Sequence, residues 1–269
     1  MSILRPVVFE SANLSLAWGQ ALIYSFDAPK SSIAPMVLSI AGFKSPLPPE
    51  DSEIRKAADD ALEQQQENPV AVSGLMIFPY DMWCRRGKPS CKPFSELCIS
   101  RYLPRLRRLD KRNIHGTYFG RMMAFTGLKN GQPQTINQLS FVIDLINRRR
   151  GRWPRQSALQ IACFDPLKDH TGQAVRGFPC LQQVSVVHDG NSRFALNAYY
   201  PTQYIFDRGY GNYLGLCQLG AFIGHETGLE FVRLNCFVGR PELGGHSKKS
   251  IAPLVDFVRG RLPSIAEAS

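Results

Sequence analysis

The sequence predicts a single α/β domain over residues 1–269, with a mixed, largely antiparallel-leaning sheet and helices packed on one side. Three observations lead there. Gln134 to Arg149 carries a stripe of Ile136, Leu139, Val142, Ile143 and Ile146 at helical spacing, with Thr135 as a possible cap. Several short apolar runs, among them Met36–Phe43, Gln183–His188 and Arg193–Tyr200, have the length and composition of strands. A chain of 269 residues with 44% hydrophobic residues can bury a full core, and it shows no internal repeat and no linker-like stretch.

Taken in order, Ser11 to Phe26 reads as a helix with Leu14, Trp18, Ala21 and Leu22 on one face. Ser11 or Asn13 can cap it, and Pro29 ends it. Met36–Phe43 follows as a strand. Asp51 to Gln66 begins with acids, as a helix N-terminus favours. Val70 to Phe78 is apolar throughout and is expected to be a buried strand. Pro79 to Pro93 is expected to be a loop, in which Trp83 suits a substrate lid or a partner contact. Phe94 to Leu106 reads as a helix broken near Pro104, and Gly116 to Gly127 as a loop or short element. Beyond the striped helix, Gly151 and Pro154 stop it, Ala158 to Phe164 is a strand, and Asp165 to Gly177 is a polar loop. The strands Gln183–His188 and Arg193–Tyr200 flank an Asp189-Gly190-Asn191 turn. Gly211 to Gly228 is helical, Glu230 to Val238 is a strand, and Ile251 to Arg261 is a terminal helix before a mobile tail.

Composition narrows the function. The formal net charge is +10, with excess base at Arg101–Arg112 and Arg148–Arg155. Such a balance suits an anionic small molecule, nucleic acid, acidic lipid or simply a solvated surface. Neither cluster has the aromatic interleaving of a single-strand binder, so nucleic acid is possible but not favoured. No apolar run approaches the ~20 residues of a membrane span, and no secretory signal is evident. Seven scattered cysteines point to reduced thiols and a cytoplasmic protein. Cys84, Cys91 and Cys98 recur every seven residues but lack the close pairs of a structural zinc site, so no metal is expected.

The stretch with most chemical content is Phe178-Pro179-Cys180-Leu181-Gln182-Gln183. Pro179 favours an extended Phe178 and leaves Cys180 at the mouth of a strand, where a nucleophile can be presented. Buried cysteines are more often inert packing, and residue chemistry alone leaves both readings open. The order around it is a long helix, a strand, Pro-Cys, a strand, an Asp-Gly turn, a strand, and a helix carrying Asn212. Gly228-Leu229-Glu230 and a last strand to Gly239 follow. Gly116-Thr117-Tyr118-Phe119-Gly120-Arg121 and Ile136-Asn137-Gln138-Leu139 add local matches, as does Leu159 to Asp165. Over residues 110–244 this resembles the thymidylate synthase and pyrimidine hydroxymethylase superfamily.

The resemblance implies a Cys180 thiolate that adds to C6 of a pyrimidine. A one-carbon unit from 5,10-methylenetetrahydrofolate then goes to C5, as methyl or hydroxymethyl. It implies a homodimer built on one sheet face. It makes Asn212 the amide that reads a uracil-like edge, although an asparagine before an apolar helix is also an ordinary N-cap. Tyr118, Phe119, Arg121, Arg155, Gln182 and Arg208 are the remaining candidate substrate contacts. Several family grips are missing. There is no Arg-Thr-Gly loop, and Ser157 and Ala158 stand where an arginine pair is usual. Pro201 replaces another arginine, Leu181 replaces the histidine after the cysteine, and Arg240-Pro241-Glu242-Leu243 replaces the ribose-binding motif. The expected substrate is therefore an atypical pyrimidine nucleotide, nucleoside or base. The alternative is a diverged binding or regulatory subunit.

Overall fold

The computed structural model describes residues 5–29, 34–109, 116–148, 152–170, 172 and 180–262. Its strands are β1 (Val7–Ser11), β2 (Met36–Ala41), β3 (Phe125–Lys129), β4 (Gln132–Ile136), β5 (Gln160–Ala162), β6 (Gln183–His188), β7 (Arg193–Tyr204) and β8 (Glu230–Glu242). Six of them form one sheet in the order β1-β2-β8-β7-β6-β5. β1 pairs parallel with β2 and β7 parallel with β8; the other three pairings are antiparallel. The mixed α/β architecture is thus as the apolar runs predicted.

The helices are α1 (Leu14–Asp27), α2 (Ser52–Gln64), α3 (Val70–Ile77), α4 (Tyr80–Arg85), α5 (Cys91–Leu97), α6 (Leu103–Leu109), α7 (Tyr118–Met123), α8 (Gln138–Asn147), α9 (Pro166–Asp169), α10 (Tyr210–Thr227) and α11 (Lys248–Arg259). On β7, Phe194, Leu196, Ala198 and Tyr200 turn into the core at period two. α1, α8 and α10 pack on the sheet. Tyr199 and Phe237 lie on the other face, 43% exposed each, with ring centroids 5.7 Å apart. No helix among the described residues is long and apolar enough to cross a membrane.

Several expectations are corrected. Val70–Phe78 is not a strand but helix α3. It is buried deeply because Gly74 lets it press against Gly211 and Gly215 of α10; a Cβ at Gly215 would lie 2.6 Å from the Gly74 carbonyl oxygen. The Pro79–Pro93 stretch holds α4 and the start of α5. Trp83 is neither lid nor exposed contact: it is buried, donates to the Pro89 carbonyl at 3.0 Å, and packs edge-on to Phe222. The break after α5 is a π-helical turn at Cys98–Tyr102, upstream of Pro104. The striped helix starts later than its periodicity suggests, at Gln138 with Asn137 as its cap. Ile136 belongs to the β3–β4 hairpin, whose turn is Asn130-Gly131 with φ of 52° and 76°. β1 is an additional strand, and of the two suggested caps it is Asn13 that accepts from the Leu16 N–H, at 3.2 Å. The Phe178-Pro179 segment, the tail beyond Pro263 and parts of both basic clusters lie outside the described residues.

Candidate functional site

Cys180 stands just before β6, where the chain enters the sheet. The Gln182 N–H donates to the Tyr199 carbonyl at 2.9 Å, and the Gln182 carbonyl accepts from Cys163 and Phe164 at 2.8 and 3.1 Å. Gln182 therefore anchors the cysteine through its backbone, between β5 and β7. Leu181 is fully buried, whereas Cys180 is exposed.

Among the described residues, Tyr118 and Arg208 act on the Cys180 sulfur. Tyr118, the first residue of α7, turns its hydroxyl toward the thiol and the backbone N–H groups of Cys180 and Leu181. Arg208 contributes a positive charge from the π-helical turn Ile205–Gly209 that joins β7 to α10. Although the residue reaches the surface, the protein packed around it partly desolvates the sulfur and pushes the thiol pKa up; the Tyr118 hydrogen bond and the Arg208 charge oppose that rise. Burial raises the Tyr118 hydroxyl as well, so it stays a proton donor at neutral pH. The raised pKa favours the protonated thiol, with the donors that a thiolate needs already beside it.

The π-helical turn is held from behind. Trp18 of α1 donates its indole N–H to the Ile205 carbonyl at 2.9 Å and packs on Tyr210, 4.9 Å between centroids. α10 continues directly from this turn, so Asn212 lies inside the helix and is not its N-cap. Asn212 is 5% exposed, and its amide has no hydrogen-bond partner among the described residues. It follows Arg208 by four positions, about one turn along the same side.

The other candidates separate from this group. Phe119 enters an aromatic core cluster, 5.3 Å from Phe78 and 6.1 Å from Phe94, and has no surface for a ligand. Arg121 is engaged by Asp169, with its second nitrogen 2.8 Å from Oδ1, and it also donates to the Cys163 carbonyl at 2.7 Å. That pair fastens α7 to the segment after β5. Arg155 is exposed on the loop before β5, which Trp153 pins by stacking on His188 at 4.3 Å. Cys91 and Cys98 are packing residues, with thiols pushed by burial to about 11 and about 12.

Sequence reasoning missed Asp169, and it missed Glu67, Asp207 and His246, which meet beside Arg208. These residues are distant in sequence and carry no local spacing signal; Gly244-Gly245 before His246 was the one hint. A cleft of about 380 Å³ lined by Lys44, Tyr80, Trp83, Lys88, His225 and Phe231 lies at the other end of α10. Gly224 in its wall is twelve residues from Asn212, about 18 Å along the helix. No family model and no curated protein matches the chain.

Proposed function

We propose that this protein is a thymidylate synthase-like transferase that adds a one-carbon unit to C5 of an atypical pyrimidine through a Cys180 adduct at C6. The observation that carries the reading is the pairing of Cys180 with Tyr118 and Arg208; Asn212, four residues after Arg208, is buried with no hydrogen-bond partner for its amide among the described residues. As the sulfur bonds to C6, the C5=C6 electron pair moves onto the C4 carbonyl. Asn212 supplies a donor for that oxygen and an acceptor for N3–H. Tyr118 and Arg208 stabilise the sulfur as a thiolate before addition and again when it leaves. Methylenetetrahydrofolate, as the resemblance implies, supplies the methylene carbon; none of the residues described above is assigned to it. Arg155, exposed on its loop, and Arg208, which is one-third exposed and already pairs with Glu67 at 3.1 Å, are the remaining cationic candidates for an anionic substituent, since Arg121 is largely buried against Asp169.

A second reading is a binding or regulatory subunit, favoured by the raised Cys180 thiol and the loss of Arg121 to an internal pair. Tritium release separates the two. A panel of 5-tritiated uracil and cytosine bases, nucleosides and nucleotides is offered to wild type and to Cys180→Ala. Exchange that requires Cys180 supports the transferase; no exchange from any member by the folded protein supports the binding subunit. The homodimer belongs to the same proposal. Tyr199 and Phe237 give the open sheet face an apolar centre suited to a twin subunit. Light scattering on wild type and on a Tyr199→Asp, Phe237→Asp double variant is expected to show a dimer and a monomer respectively.

A further inference from the structure

Glu67, Asp207 and His246 bring two carboxylate oxygens and one imidazole nitrogen within 4.8 Å of one another. Glu67 comes from the turn after α2, Asp207 from the π-helical turn, and His246 from the loop between β8 and α11. His246 Nε2 lies 3.5 Å from Asp207 Oδ1 and 3.6 Å from Glu67 Oε1. Both separations are long for hydrogen bonds. Asp207 Oδ1 and His246 Nε2 are buried atoms with no hydrogen-bond partner among the described residues. Asp207 is only 7% exposed, so its unmet oxygen points into the cluster and away from bulk water. A buried acceptor left in that state is destabilising.

The geometry suits a shared cation. Ligand atoms bound at about 2.0–2.2 Å with tetrahedral angles lie about 3.4 Å apart, close to both separations seen. The second oxygen of each acid is held from outside. Gly245 N–H donates to Asp207 Oδ2 at 3.4 Å, and Arg208 donates to Glu67 Oε2 at 3.1 Å. Outer contacts of this kind orient metal ligands. Phe206 supports the imidazole edge-on at 5.6 Å. Gly244 clears the space: a Cβ there would lie 2.2 Å from Asp207 Oδ1, and its φ is 131°.

We propose that Glu67, Asp207 and His246 bind one divalent transition-metal cation of the zinc class, each through a single atom. One nitrogen and two oxygens suit a borderline ion better than an oxygen-seeking calcium or a thiolate-seeking copper(I). Three protein ligands leave at least one coordination position for water or substrate. The site stands on its own geometry and not on the proposed transfer reaction.

The test titrates chelator-treated, desalted protein with zinc sulfate against a chromogenic competitor at pH 7, with manganese chloride in parallel. The expected result is one zinc per chain and a zinc-dependent rise in Tm. Loss of a ligand in His246→Ala or Glu67→Gln is expected to weaken binding by about tenfold or more. Circular dichroism of the metal-free variants establishes that they fold; His246→Gln substitutes if the alanine variant does not. Two outcomes overturn the proposal. One is wild type that takes up no stoichiometric zinc, which leaves Glu67, Asp207 and His246 as an internal polar cluster without a cation. The other is equal uptake by wild type and folded variants, which places the ion elsewhere.

Discussion

Arg121 and Asp169 form a two-pronged ion pair with side chains only 13% and 3% exposed, and it joins α7 to the chain after β5. The same Asp169 accepts the Asp165 N–H at 2.8 Å, while Gln138 of α8 bonds the Arg121 carbonyl and both polar groups of the Ala162 backbone. Tyr118 sits three residues before Arg121 on α7, so the clamp also sets where the hydroxyl beside Cys180 lies. Breaking a buried pair from one side strands a charge and costs about 3–5 kcal/mol. Arg121→Ala is expected to lose about that much stability in urea unfolding. An Arg121 that merely gripped a substrate anion would leave the unfolding midpoint unchanged.

How much of this was legible follows from where each signal sits in the chain. β6 and β7 alternate cleanly about an Asp-Gly turn, and the Pro-Cys pair marked the entry to β6, so that region could be read directly. α3 is apolar all round, and periodicity cannot separate a buried helix from a buried strand in eight residues. Its helical state depends on Gly74 meeting Gly211 and Gly215, a contact made across more than a hundred residues. The Asn130-Gly131 hairpin signal was present, but the long stripe beginning at Ile136 absorbed the second strand. Of the candidate site residues, Arg208 and Asn212 depend on a π-helical turn that no propensity announces. Phe119 and Arg121 belong to the right motif but spend their side chains on the core and on Asp169.

Tyr118 and Arg208 both favour the ionised form of Cys180. Tyr118→Phe and Arg208→Gln are each expected to move the pH profile of iodoacetamide alkylation toward higher pH. At pH 7.5 each variant is alkylated more slowly than wild type. Cys180→Ala identifies the reacting thiol, since the other described cysteines are buried or half-buried. Unchanged profiles in both variants would detach these two side chains from the sulfur.

The α3–α10 contact has no room for a methyl group. A Cβ on Gly215 would come within 2.6 Å of the Gly74 oxygen and 2.9 Å of the Ile77 Cβ. Helix propensity favours alanine over glycine by about 1 kcal/mol, but overpacking a tight core costs about 1–3 kcal/mol. Both partners here are backbone or branched atoms that cannot swing away. Gly215→Ala is therefore expected to be destabilised by up to about 2 kcal/mol net. Guanidinium unfolding that showed a gain would mean the helices slide apart at no cost.

Asp207 supplies a pH test that needs no metal. Burial raises its pKa above the ordinary 3.8 and Glu67 adds to the rise, while His246, the Gly245 N–H and Arg208 oppose it. The folded protein thus holds this proton more tightly than the unfolded chain. The resulting stabilisation is fully present below pH 3.8 and is lost as pH rises through the folded value. Asp207→Asn keeps a neutral group of the same shape at every pH. With chelator present, its Tm relative to wild type is expected to climb as pH is raised from 4 toward 7, because only wild type must carry the buried charge. A difference that stays flat across that range would mean Asp207 ionises as easily in the fold as in the unfolded chain. Zinc added at pH 7 is expected to reverse the order, since the carboxylate then binds a cation that the amide holds poorly.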